Sequence, residues 1–335
     1  MEQSAQVTGG LEYPHVLSVA VNNKPATTIN SNPKPFIEAN TVESTLEEIR
    51  SRHIIPTYRD SEVLISQSEF IEVATEVVSD VFKAERILKP SVRLSHPIKG
   101  RVPEARNKPA AELNEWEKTL YYERMAFIQE IPSITDTIDG QSLSLTVGGV
   151  KAYNGDNLQN KKGGDEHFKV FIGFKVLVCT NLCIWTDGFA GDVKVKNTEQ
   201  LRTGITMLIQ SFDAITMLKQ MEALQQYSLS EQQFAHLLGR CRMYQHLPAG
   251  LKQDIPEFTF GDSHLNTVCR DYYRDDSFCR NSDGGISLWK LYNLFTSANR
   301  NSYIDSFADR AVNATTFVHQ LTSALEHKSN HWFLS

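Results

Sequence analysis

The sequence predicts an α+β fold: a mostly antiparallel sheet with helices packed on one face and a helical C-terminal part. Three observations carry this. Residues 167–197 are the most apolar stretch and alternate with period two. Residues beyond 198 instead repeat apolar positions every three or four residues. No internal repeat interrupts this order, so a strand-rich part simply precedes a helical one. The expected boundaries are a flexible leader over 1–41 and a single domain over 42–335, sheet-rich across 85–197 and helical across 198–335.

The alternation is explicit. Phe168, Val170, Ile172, Phe174, Val176 and Val178 share one parity, and nearly all are β-branched or aromatic. The other parity holds Lys169, Phe171, Gly173, Lys175, Leu177 and Cys179. One wholly apolar face predicts a long, half-buried strand. Thr180-Asn181 breaks the run, and Leu182–Trp185 reads as a second short strand. Asp187-Gly188 reads as a turn, because glycine tolerates positive φ. Val193 and Val195 restart the alternation, with Lys194 and Lys196 facing the other way. The expected meander is packed beneath and presents Lys169, Lys175, Lys194 and Lys196 around Phe171 above.

The flanking elements follow in order. Residues 1–41 are rich in Ser, Asn, Thr and Pro, and the apolar piece His15–Val21 has no evident partner. A short helix over Thr41–Arg52 has acids early and Arg late, matching the helix dipole, and Pro56 ends it. Ser66–Lys83 is a stronger helix, with Ser68 as its expected cap and an apolar stripe from Phe70 to Val81. Three prolines in the basic stretch 83–108 forbid a continuous helix. A strand at Ser91–Ser95 and an extended loop fit better. Glu112–Lys118 reads as a helical turn and Tyr121–Ile131 as a strand. Ile138–Gln141 is a turn, Ser142–Val147 alternates, and Gly148-Gly149 marks a bulge or a close approach. Asn154–Glu166 suits a hairpin tip carrying Lys161-Lys162. A long helix is expected over Thr198–Gln226, capped by Thr198. Further helices are expected over Ser230–Gln245, His264–Tyr273, Ser287–Ala298 and Phe307–Glu326.

Composition narrows the function classes. With 335 residues, 41% hydrophobic and 22% charged, the chain has globular proportions and room for a core without staples. The net charge of −6 gives no global basic signature, so any nucleic-acid surface has to be local. No apolar run reaches the ~18 residues of a membrane span. The opening MEQSAQVTGG lacks the basic and apolar regions of a signal peptide. Five cysteines, an odd count, point to reduced thiols and a cytoplasmic protein.

Five blocks carry a resemblance: SHPIKGRVPEA, KTLYYERMAFIQEIP, GGVKAYN, HFKVFIGFKVLVCTNLCIWTDG and SLWKLYNLFTSAN. Together they resemble an uncharacterised bacterial domain-of-unknown-function family found on mobile elements, over roughly residues 60–325. Cys179-Thr180-Asn181 and the later Trp289-x-Leu291-Tyr292-Asn293-x-x-Thr296 are also similar to the broader phage/plasmid-like protein family. The resemblance implies a role in phage, plasmid or transposon biology and brings no activity with it.

Lysines interleaved with an aromatic on a sheet face suit single-stranded DNA or RNA, where cations meet phosphates and bases stack on rings. The expected interface is Lys169, Phe171, Lys175, Lys194, Lys196 and Arg101. The bland reading of the same residues is a solvated sheet face whose lysines discourage edge pairing. The expected function is a non-enzymatic mobile-element accessory protein binding single strands, without cofactor, metal or membrane. The alternative is a metal-dependent hydrolase or nuclease using Asp271, Asp275, Asp276 and Asp283, or a thiol chemistry at Cys179. Against it, such a cluster is ordinarily a solvated helix end, and no histidine is placed beside Cys179. Cys179 and Cys183 have C-x₃-C spacing, but a structural zinc needs four ligands, so buried thiols are the default. A third possibility is a protein–protein adaptor acting against host defence.

Overall fold

A computed structural model of the chain describes residues 35–52, 65–153 and 165–335. The expectations for residues 1–34, Pro56 and the Lys161-Lys162 tip lie outside them. The order is β1 (Val42–Ser44), α1 (Leu46–Arg52), α2 (Gln67–Val81), β2 (Ser91–Leu94), β3 (Pro97–Arg101), β4 (Lys118–Tyr122), β5 (Arg124–Ile138), β6 (Gln141–Ala152), β7 (Glu166–Val176) and β8 (Leu182–Val195). There follow α3 (Thr198–Ser211), α4 (Ala214–Ala223), β9 (Ser228–Leu229), α5 (Glu231–His246), α6 (Ala249–Lys252), α7 (Asp262–Arg274), β10 (Ile286–Ser287), α8 (Leu288–Asn299) and α9 (Ile304–His327). The α+β class is the one the chain adopts, with a helical C-terminal part. Among the described residues no helix is long and apolar enough to cross a membrane.

Six strands form one antiparallel sheet in the order β1-β2-β5-β6-β7-β8. A tight turn joins β5 to β6, with Asp139 and Gly140 both at positive φ (49° and 72°), as a primed hairpin turn requires. Gly148 serves close approach rather than a bulge. Pairing runs unbroken through it, and a Cβ there would stand 2.4 Å from the Phe171 ring.

Three expectations at element ends are corrected. Asp187-Gly188 is not a turn, because β8 continues through it to Val195. Gly188 instead lets β8 pass over β7, where a Cβ would come 2.2 Å from the Ile172 carbonyl oxygen. The slack is taken up by register shifts between Phe168 and Val170 and between Phe171 and Gly173. The long helix expected after 198 is two helices, α3 capped by Asn197 and α4 capped by Asp213, which accepts from Thr216 N. In the same way Ser66, not Ser68, caps α2, forming a capping box with Glu69.

One sheet face meets the alternation as far as Val176; Val178, read as part of the same buried parity, lies past the end of β7 and is exposed. Phe168, Val170, Ile172, Phe174 and Val176 are buried in the large core, with Phe70 of α2 and Ile205 and Ile209 of α3. The second face is covered too. The first half of α9 lays Phe307, Ala308 and Ala311 over Phe171, Ala126, Ile128 and Val150, with Phe36 and Ile37 sealing the edge. The second half of α9 turns Phe317 into an aromatic cluster with Phe258, at 4.9 Å, and Phe333, at 5.0 Å.

Candidate functional site

The expected open cationic face is corrected by this cover. Phe171 is fully buried, its ring between Gly148 and α9, so no base can stack on it. Lys169 reaches up to α9, donating to the Asp305 carbonyl at 2.6 Å and pairing with Asp309. Lys175 pairs with Glu130, both largely buried. The physical reason is complementary. The carboxylate of Asp309 and the carbonyl of Asp305, one helical turn apart, meet the lysine that alternation exposes. The Asp305 carboxylate takes Arg124 at 3.2 Å, and small residues at 308 and 311 let the helix approach. Lys194 and Lys196 do face solvent, their side chains 54% and 63% exposed, pairing with Asp192 at 3.1 Å and Asp165 at 3.8 Å. Arg101 is elsewhere, on β3, donating to the Lys108 carbonyl.

Three of the six nevertheless share one end of the sheet. The registers Leu94↔Met125, Arg124↔Ala152 and Glu166↔Val195 bring the end of β2, the start of β5, the end of β6, the start of β7 and the end of β8 to that end. There β3 and β4 leave as a two-stranded ribbon. Residues opposite one another share a face, so Lys99, Arg101 and Lys118 lie together. The other ribbon face turns inward, with Thr119 buried and the Tyr121 ring 6.3 Å from buried Tyr153. Trp116, two residues before β4, is 68% exposed. Lys194 and Lys196 stand at the same end on β8, three strand spacings or about 14 Å from β5. Trp116 and Lys118 were not singled out by sequence, and Lys99 entered only as part of the basic stretch 83–108. The available signal was a tryptophan alone among charges in Asn-Glu-Trp-Glu-Lys.

A second place gathers the residues of the enzymatic alternative. Asn181 is buried and donates to the Asn293 carbonyl at 3.0 Å. The Cys-Thr-Asn block and the Trp-x-Leu-Tyr-Asn block therefore meet as a joint between the sheet and α8. Arg300, at the end of α8, donates to the Cys179 carbonyl at 2.6 Å. Beyond it opens a polar pocket of about 240 Å³, lined by Arg270, Arg274 and Arg300 and by Glu38, Asp271, Asp275 and Asp276. Asp283 is not part of it; its carboxylate accepts from Gly285 N in a turn. Among the described residues no three His, Cys, Asp or Glu side chains converge to hold a metal ion. Burial pushes the Cys183 thiol up to about 12, away from reactivity.

One serine–histidine contact is also present. His264 Nδ1 accepts from Gly261 N, so Nε2 carries the hydrogen and faces Ser302 Oγ at 3.1 Å. Ser302 Oγ also receives Arg310 and donates to Asn299 Oδ1. A histidine that donates to the hydroxyl has no lone pair to take its proton, so this is a structural network.

Residues 19–334 match the family described as "Domain of unknown function, B. Theta Gene description (DUF3871)". The chain belongs to the DUF3871 family. That match spans all five blocks, and the expectation of an uncharacterised family is met. The DUF3871 description names no activity, no mobile element and no phage/plasmid-like relative. No curated protein and no solved structure matches the chain.

Proposed function

We propose that this protein is a non-enzymatic accessory protein that binds single-stranded nucleic acid at the ribbon end of its sheet. The carrying observation is the exposed Trp116, two residues before a ribbon whose register puts Lys99, Arg101 and Lys118 on one face, the last paired with Glu115. Stacking on an exposed aromatic is sequence-tolerant, and cations at ribbon spacing meet the phosphates of an extended strand. Lys194 and Lys196 extend the cationic track along the same end of the sheet. The mobile-element setting rests on the resemblance of the five blocks alone.

The test is fluorescence anisotropy with a labelled 20-nucleotide oligothymidylate at rising salt. Binding is expected at low salt, falling linearly in log–log form as counterions return to the strand. Trp116→Ala should weaken it by the ~1–3 kcal/mol of one stacked base. Lys99→Ala should reduce the salt slope by about 0.7, the share of one single-strand phosphate. Absence of binding at low salt, or binding indifferent to salt, would overturn the reading.

A further inference from the structure

The pocket between α7, the end of α8 and residue 38 is independent of the ribbon. It is small: about 240 Å³ holds roughly eight waters at ~30 Å³ each, below the range of drug-sized sites. Its wall is charged in both senses. Three arginines face four carboxylates, so the wall carries one net negative charge.

Some of these groups are committed to the fold. Arg270 forks onto Asp271, with Nε to Oδ1 at 2.6 Å and Nη2 to Oδ2 at 3.1 Å. Asp275 Oδ1 accepts from Ser277 N and Phe278 N. Arg300 is buried, holding Cys179 and Ser297. The side chains of Arg274 and Asp276 have no hydrogen-bonding or ion-pair partner among the described residues, and both are exposed at the open rim. The pocket also accepts a carboxylate already, since Glu38 Oε1 lies 3.6 Å from Arg300 Nε.

We propose that this pocket binds a small cationic zwitterion, of the class of a basic amino acid. A planar guanidinium fork at Arg274 matches the ligand's carboxylate. Asp276, together with the second carboxylate oxygen of Asp275, which the turn leaves without a partner among the described residues, faces its ammonium or guanidinium. A ligand with one net positive charge neutralises the wall, and a simple anion or a simple cation leaves one half of it unmatched.

Calorimetric titration of the full chain at constant ionic strength tests this with three probes. L-arginine carries both charges, agmatine keeps the guanidinium without the carboxylate, and glutarate is anionic only. Saturable binding is expected for L-arginine, at least tenfold tighter than for either of the others. Arg274→Ala and Asp276→Asn should each weaken it at least tenfold, and their thermal midpoints should match the parent because neither side chain holds the fold. Trp116→Ala should leave it unchanged. No saturable L-arginine binding, equal binding of agmatine or glutarate, or unchanged affinity in both rim variants would overturn the proposal.

Discussion

His264 and His319 illustrate how single side chains set the conditions under which this fold survives. Burial pushes His264 down to about 4, with Arg310 adding to the effect, and burial alone does the same to His319, which packs 4.2 Å from the Trp185 ring. Both are therefore neutral in the folded chain, while in the unfolded chain they titrate near 6.5. Between these values the unfolded state binds more protons, so stability is full above about pH 6.5 and drains away as pH falls toward about 4. Protonating His264 also removes the acceptor for Gly261 N. The thermal midpoint should drop across that window, and a His264→Gln, His319→Gln double variant should show a shallower drop. A profile flat from 6.5 to 4 would contradict this. The sequence marked both only as histidines on helices. Their titration was not legible there, because it depends on neighbours far along the chain.

At the level of elements, the period-two and 3.6 patterns located the long strands β5 to β7, β2 and the longer helices. They placed β1 inside an expected helix over Thr41–Arg52, read β3 as an extended loop and missed the two-residue strands β9 and β10; the other errors fell at punctuation. Asp187-Gly188 has turn chemistry, yet its glycine answers a steric demand from β7. Thr198 to Gln226 has continuous helical spacing, yet Asp213 caps a new helix within it. Ser66 and Ser68 both have cap chemistry, and only the partner Glu69 decides between them. Two glycine substitutions separate these causes. Gly188→Ala should cost about 1–3 kcal/mol, the usual penalty for overpacking, given the 2.2 Å approach to the Ile172 carbonyl oxygen. Gly239→Ala in α5 has nothing within 4 Å and should stabilise by up to ~1 kcal/mol through helix propensity. Urea midpoints of the two variants should move in opposite directions.

On the scale of the whole molecule, α9 decides which surface is available. It turns a sheet that could have been open on one side into the middle layer of a three-layer body. Phe171 passes from candidate stacking platform to core, and Lys169 and Lys175 become fastenings. Phe171→Ala should therefore destabilise by the ~3–5 kcal/mol of a large-to-small core change. Measured below its unfolding temperature, that variant should bind the oligothymidylate like the parent. A stable variant with lost binding would reverse the assignment of interior and interface.

Sequence alone determined the α+β class, the apolar face of β7, the helical character after 198 and the turn at Asp139-Gly140. Each follows from spacing between near neighbours, which the chain carries in itself. Tertiary structure alone decided that the second sheet face is closed, that Cys179–Asn181 serves as a joint with α8, and that Arg270, Arg274 and Arg300 share a pocket. The first two outcomes depend on residues more than a hundred positions apart meeting across the sheet, the third on α7 packing beside α8, and periodicity holds no information about such meetings.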